Sequence, residues 1–238
     1  MNKVQQNLVL FICAKIGAFR LCGRYYKYEG ERMIDNSNYI TVGFKKTVNE
    51  CFSDRAKELS DEYDKRLAEL LDENKDASKE KMLHLKAQIL PGIAAYEVLR
   101  TIMSKEAAYD TIHGYTEKHA IEGKIKLEKI LRIPGLYRIV PRLFAKMVRK
   151  IFNEDAGFRS YEYKTKPSVW RIDMLECPYY NTCKDYGCAE LCTCFCDSDD
   201  VSYGSLHKNL IWHRTQTLGR GDKCCDFCLK VRGGESLE

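Results

Sequence analysis

Apolar residues along the chain change period once. Up to about residue 155 they recur at three- and four-residue intervals, the spacing of one helix face. Leu8, Phe11, Ile12, Ile16 and Phe19 predict a first helix over 4–22. Leu59, Tyr63, Leu67 and Leu70 make one stripe in a long helix over 42–73; Met82, Leu85, Ile89 and Ile93 make another over 77–103. Ser78 suits the N-cap of that second helix, with Glu80 in its first turn. Pro91-Gly92 predicts a kink or restart inside it. A further helix is expected over 104–121, opening at Ser104. From Gly157 the period falls to two. Residues 158–164 and 168–175 predict strands, with Trp170, Ile172 and Met174 on one face. Residues 178–196 predict helical turns, and 206–216 and 225–232 two more strands.

The predicted fold class is therefore α+β: a helical N-terminal half, 1–155, followed by an antiparallel sheet with packed helices carrying a cysteine cluster, 156–238, the two forming one compact unit. A chain of 238 residues, 45% hydrophobic and 31% charged, is long enough to bury a core and too apolar to be disordered. Its net charge of +5 is uneven: residues 1–155 carry +6 and 156–238 carry −1. Residues 124–150 hold nine Lys or Arg against Glu128 alone, interleaved with apolar residues and broken at Pro134 and Pro141. Such a segment attracts nucleic acid or an anionic membrane. No nucleic-acid motif accompanies it, so it reads as the solvated face of a packed helix, or as an attractant for an anionic substrate.

The apolar run at 8–14 is far short of a bilayer span, which excludes an integral membrane segment there and favours a cytoplasmic chain. Tyr25, Tyr26 and Tyr28 suit a contact between elements or a pocket wall. His113 and His119, six residues apart, share no helix face well and read as structural or surface groups.

Nine of the twelve cysteines lie within 177–228. Their density is too low for a disulfide scaffold, so reduced thiols are expected. Cys192, Cys194 and Cys196 alternate with single residues: on a strand their sulfurs share one side, on a helix Cys192 and Cys194 lie about 200° apart. Cys225 and Cys228 form the lone C-x-x-C. Zinc held by Cys192, Cys196 and Cys225, with His207 or His213 as a fourth ligand, is one use of this set. Small buried thiols without a metal are the other.

The sequence resembles the L-2-amino-thiazoline-4-carboxylic acid hydrolase family. Cys177-Pro178-Tyr179, Glu190-Leu191-Cys192, Phe195-Cys196 and Asp199 carry the likeness, with Arg214-Thr215-Gln216-Thr217-Leu218 and Gly221 before Cys225-Asp226-Phe227. It is specific over about 170–230 and looser through Pro91, Gly92, Tyr96 and the 134–158 segment. A more distant likeness is to 4-vinyl reductase type ligand-binding domains, through Gly221, Cys225 and Phe227. Some of those hold zinc, but Arg214 and Thr217 stand where their Glu and Cys would be.

The family resemblance implies hydrolytic opening of a 2-aminothiazoline ring to the N-carbamoyl derivative of L-cysteine, a small-molecule substrate and no cofactor. Such chemistry needs a nucleophile, a proton carrier and a cation for the substrate carboxylate. Cys196 is the first candidate nucleophile and Cys225 the second. Asp199 or Glu190 suits orientation of the amidine nitrogens or activation of water. Arg214 suits the carboxylate, and Thr217, Cys192 and Cys177 the remaining substrate contacts. The alternative is a non-catalytic binding or sensor domain. A homo-oligomer is compatible with either.

Overall fold

The computed structural model describes residues 37–234. The helix expected over 4–22 and the tyrosines at 25–28 lie outside them. Helix α1 spans Tyr39–Cys51 and α2 spans Ala56–Glu73, separated by a 3-10 turn at Ser53–Arg55. The continuous helix expected over 42–73 is thus interrupted at Phe52, which leaves helical geometry. The break lets Phe44 and Val48 of α1 and Leu59 and Tyr63 of α2 face the same core.

The next helical run is α3, Lys79–His84, a π turn at Leu85–Ile89, and α4, Leu90–Leu99. Ser78 caps it, accepting from the Lys81 N–H. Pro91 explains the π turn: it has no N–H to give, and its ring crowds the preceding turn. The carbonyl of Ala87, four residues earlier, accepts instead from Asn38 Nδ2 at 2.7 Å. The same Asn38 caps α1 through Oδ1 with the Ile40 and Thr41 N–H groups. One side chain thus caps the start of α1 and satisfies the carbonyl that Pro91 leaves open. Asn38→Ala should cost about 2 kcal/mol, one for the cap and one for the orphaned carbonyl. Urea denaturation should show a lower midpoint at unchanged slope; an unchanged midpoint would show that water replaces both bonds.

Helix α5 runs Lys105–Leu131, ten residues past the expected end. Ser104 caps it as expected. It stops three residues before Pro134, which disfavours helical geometry in the residue ahead of it. Gly135, at φ +78°, turns the chain through a 3-10 segment, Leu136–Ile139, into α6, Val140–Ile151.

The sheet follows as the pattern predicts. Strands β1 (Arg159–Glu162), β2 (Val169–Glu176), β3 (Leu210–His213) and β4 (Cys225–Val231) order as β1-β2-β4-β3, all antiparallel. Between β2 and β3 lie α7, Pro178–Asp185, and α8, Cys192–Tyr203. Two cores result. One packs α1, α2, α4 and α5 around Tyr63, Tyr96 and Ile93; it draws in Cys183, Cys188, Cys192 and Cys194. The other lies under the sheet, with Trp170, Ile172, Met174 and Leu229 against Leu131 and Met147. Tyr179 packs against both.

Candidate active site

The seam between the two cores holds a cavity of about 220 Å³. Its walls come from α3 and the π turn (His84, Gln88), the inner face of α5 (Thr116, His119, Gly123), the ends of β2 and β4 (Met174, Cys225) and α8. On α8, Phe195, Cys196, Asp199, Ser202 and Tyr203 face it, at the three- and four-residue spacing of one helix face. A second gap of about 50 Å³ between α5, α6 and β4 is lined by aliphatic and aromatic side chains, with Tyr203 its one residue bearing a polar side-chain group among the described residues.

Three elements bring the candidate groups together. Cys196 and Asp199 come from α8, Cys225 opens β4 opposite Met174 of β2, and Cys177 follows β2. They sit close enough to feel one another electrostatically. Burial pushes the Cys225 thiol up to about 12, although its sulfur accepts from the Leu218 N–H at 3.3 Å. Burial also raises Cys177. Asp199 is pushed up to about 7: burial raises it, Arg214 pulls it down, and Asp200 and Asp197 push it up again. Among the described residues its carboxyl has no hydrogen-bond partner.

The cysteines at 192, 194 and 196 lie on a helix rather than a strand, so they divide. Cys192 and Cys196 share one face with sulfurs 3.7 Å apart, while Cys194 turns to the Tyr109 carbonyl in the helical core. Only Cys196 of the three reaches the cavity; Cys192 is buried behind it. Gly219 passes over this pair so closely that a Cβ there would lie 3.2 Å from the Cys196 sulfur and 3.4 Å from that of Cys192. All ten described cysteines are free thiols. Among the described residues no three His, Cys, Asp or Glu side chains gather as a metal would require.

Three other candidates stand away from the cavity wall. Glu190 accepts from Tyr96 Oη at 2.7 Å and pairs with Lys105. Thr217 is buried in its own turn, its N–H donating to Asp222. Arg214 has a side chain only 3% exposed and stacks against Phe227. Its Nη2 bonds the Cys196 carbonyl and Asp200, and its Nη1 is buried without a partner. It braces the segment of α8 that carries Cys196 and Asp199.

His84 is a wall residue that the sequence reading missed. Its Nε2 donates to the Ile151 carbonyl at 2.9 Å, one of the open carbonyls ending α6. Burial lowers its pKa, so the ring is neutral and Nδ1 accepts from Tyr179 Oη at 3.2 Å. The Tyr179 proton is thereby committed to His84, leaving its oxygen lone pairs as acceptors. The available sequence signal was a histidine and a glutamine four apart, His84 and Gln88, inside an apolar stripe. His119, read from sequence as structural or surface, stands in the wall and stacks on Tyr39 with ring centroids 4.1 Å apart.

This α+β chain thus encloses a cavity walled by thiols, imidazoles and one carboxyl without a hydrogen-bond partner among the described residues. The family model for L-2-amino-thiazoline-4-carboxylic acid hydrolase matches residues 82–229, and the chain belongs to that family. The match includes every residue lining the cavity except Tyr39. No curated protein and no solved structure matches the chain.

Proposed function

We propose that the cavity hydrolyses a small cyclic amidine that carries a carboxylate, with 2-aminothiazoline-4-carboxylate as the reference substrate given by the family's name. The observation that carries this reading is Asp199, a half-buried carboxyl whose desolvation in the cavity wall raises it to about 7, in the same wall as Cys196. Two carboxylate oxygens match the two N–H groups of an amidine, and a pKa near working pH suits repeated proton transfer.

In this reading Asp199 takes the Cys196 proton and the thiolate adds to the amidine carbon. The ring C–S bond breaks, and Asp199 returns the proton to the departing sulfur. Water then adds at the same carbon, giving its proton to Asp199, and Cys196 is expelled and reprotonated. The product is the N-carbamoyl thiol, with one water consumed. Tyr179 oxygen and the neutral imidazole of His119 are left to orient the substrate. Arg214 serves as a brace rather than a carboxylate clamp. The substrate carboxylate is therefore met by neutral donors of the wall, the His119 ring and the Gln88 amide, in place of the cation expected from sequence.

Anaerobic incubation with L-2-amino-thiazoline-4-carboxylate, following free thiol and carbamoyl product, tests the assignment. Turnover should fall at least about a thousandfold in Cys196→Ala and persist after chelation. Full activity in Cys196→Ala would remove the nucleophile and leave Asp199 activating water directly. Loss on chelation would move the chemistry to a metal at Cys192, Cys196 and Cys225. The burial that holds Cys225 protonated favours a second reading, a binding domain without turnover. Ligand-induced stabilisation with no product, in folded and reduced protein, would establish that reading instead.

A further inference from the structure

We propose that the outer face of α5 and the turn after it dock on an anionic membrane surface. Six large hydrophobic side chains among the described residues are exposed, and four of them, Ile121, Ile125, Ile133 and Ile139, fall within nineteen positions. Ile121, Ile125, Lys129 and Ile133 succeed one another at intervals of four, so they form one stripe along α5 and into the turn. The opposite face of the same helix, through Thr116, His119, Gly123 and Leu127, lines the cavity. The stripe is therefore not a core face left over: the inward side of α5 is already used.

Charge says what covers it. Lys129, Arg132, Arg142 and Lys146 are exposed, and none of them has an acidic partner among the described residues. Arg138 beside Ile139 donates to Tyr137 Oη and lies over the Tyr137 ring, with no acidic partner among the described residues. Glu122, next to Ile121, is the nearest exposed acid on the helix. Elsewhere some surface cations are paired, as Arg55 with Glu58, Arg66 with Glu97 and Arg149 with Glu162, and others such as Lys57, Lys118 and Lys184 have no acidic partner among the described residues. The outer face of α5 and the turn after it differ in setting several unpaired cations beside exposed isoleucines. A stripe of isoleucines flanked by uncommitted cations fits the boundary between acyl chains and anionic headgroups, where apolar burial and charge attraction act together. A nucleic acid would use the cations but not the isoleucines, and stacking aromatics are missing from the stripe.

The test is co-sedimentation of the full chain with vesicles of phosphatidylcholine containing about a third phosphatidylserine, beside pure phosphatidylcholine vesicles. Binding should appear with the anionic vesicles only and fall at least about tenfold on raising salt from 0.05 to 0.5 M. Ile133→Ser with Ile139→Ser should weaken it several-fold, and Arg132→Glu with Arg138→Glu about tenfold or more. All four side chains are solvent-facing, and circular dichroism of each variant checks the fold. No partition into anionic vesicles would overturn the proposal. So would binding indifferent to the isoleucine pair, with RNA or duplex DNA displacing the vesicles, which would make the face a polyanion site. A wild-type dimer that the isoleucine pair breaks, without vesicle binding, would assign the face to a second copy of the chain.

Discussion

Asp199→Asn is expected to give a protein that is more stable at pH 8 and nearly inactive. An amide keeps the shape of the side chain and one acceptor but cannot carry a proton between Cys196, the leaving sulfur and water. A drop in turnover of at least about a hundredfold is expected on that ground. The stability gain follows from linkage. Asp199 is pushed up to about 7, against an ordinary value of 3.8. Between those limits the folded chain binds more protons than the unfolded one, so stability falls as pH rises through the interval. Above it the wild type carries an ionised carboxylate in a cavity that disfavours the charge, which costs at most about 4 kcal/mol. The amide has no such penalty. Denaturant melts at pH 5 and pH 8 check the sign: the advantage of Asp199→Asn should be present at pH 8 and shrink toward pH 5. An equal effect at both values would show that Asp199 does not titrate where its surroundings place it. Loss of function joined to a gain in stability is what a strained functional group gives.

The second large effect is expected from Arg214→Met. Among the described residues Arg214 is the one cation acting on Asp199, and it holds that carboxyl below where burial alone would take it. Removing the guanidinium should raise Asp199 further. The acid limb of kcat/KM reports ionisation of the proton acceptor in free enzyme, so it should move from near pH 7 to higher pH. A merely structural role for Arg214 would lower activity at every pH and leave the limb in place. Stability should also fall by about 2 kcal/mol. Arg214 loses the Asp200 pair and the bond to the Cys196 carbonyl, but Asp200 is half exposed and screened by water, and the variant also relieves the buried Nη1 that has no partner.

Much of the fold was legible because burial is one-sided. Leu59, Tyr63 and Leu67 sit on one face of α2, and Trp170, Ile172 and Met174 on one face of β2, so period alone finds both elements. Helix α5 was cut short in the sequence reading because both of its faces carry apolar residues, one for the cavity and one for the surface, which blurs the period. The break at Phe52 carries no proline or glycine; only the packing of α1 against α2 settles it. The site was legible in part. Cys196, Asp199, Cys225 and Cys177 share the cavity wall, whereas Glu190, Thr217, Cys192 and Arg214 stand behind or beside it. The difference is angular: motif position names a residue but not the side of the helix or turn it faces. His84 lies far in sequence from Cys177, Cys196, Asp199 and Cys225, and its partners Ile151 and Tyr179 meet it only through tertiary packing.

The π turn at Leu85–Ile89 makes the count of residues matter there as much as their identity. A π turn is an α-helix with one residue inserted and held in place by its surroundings. Deleting any one residue of the five would take out the inserted residue and bring the turn toward α geometry, with the bond that Pro91 cannot make still missing. Everything ahead of the deletion would then be rotated by about 100° relative to α4. His84 would leave the Ile151 carbonyl and the cavity together. In an alignment, a one-residue gap in this turn would thus be a change of site, even with every wall residue retained.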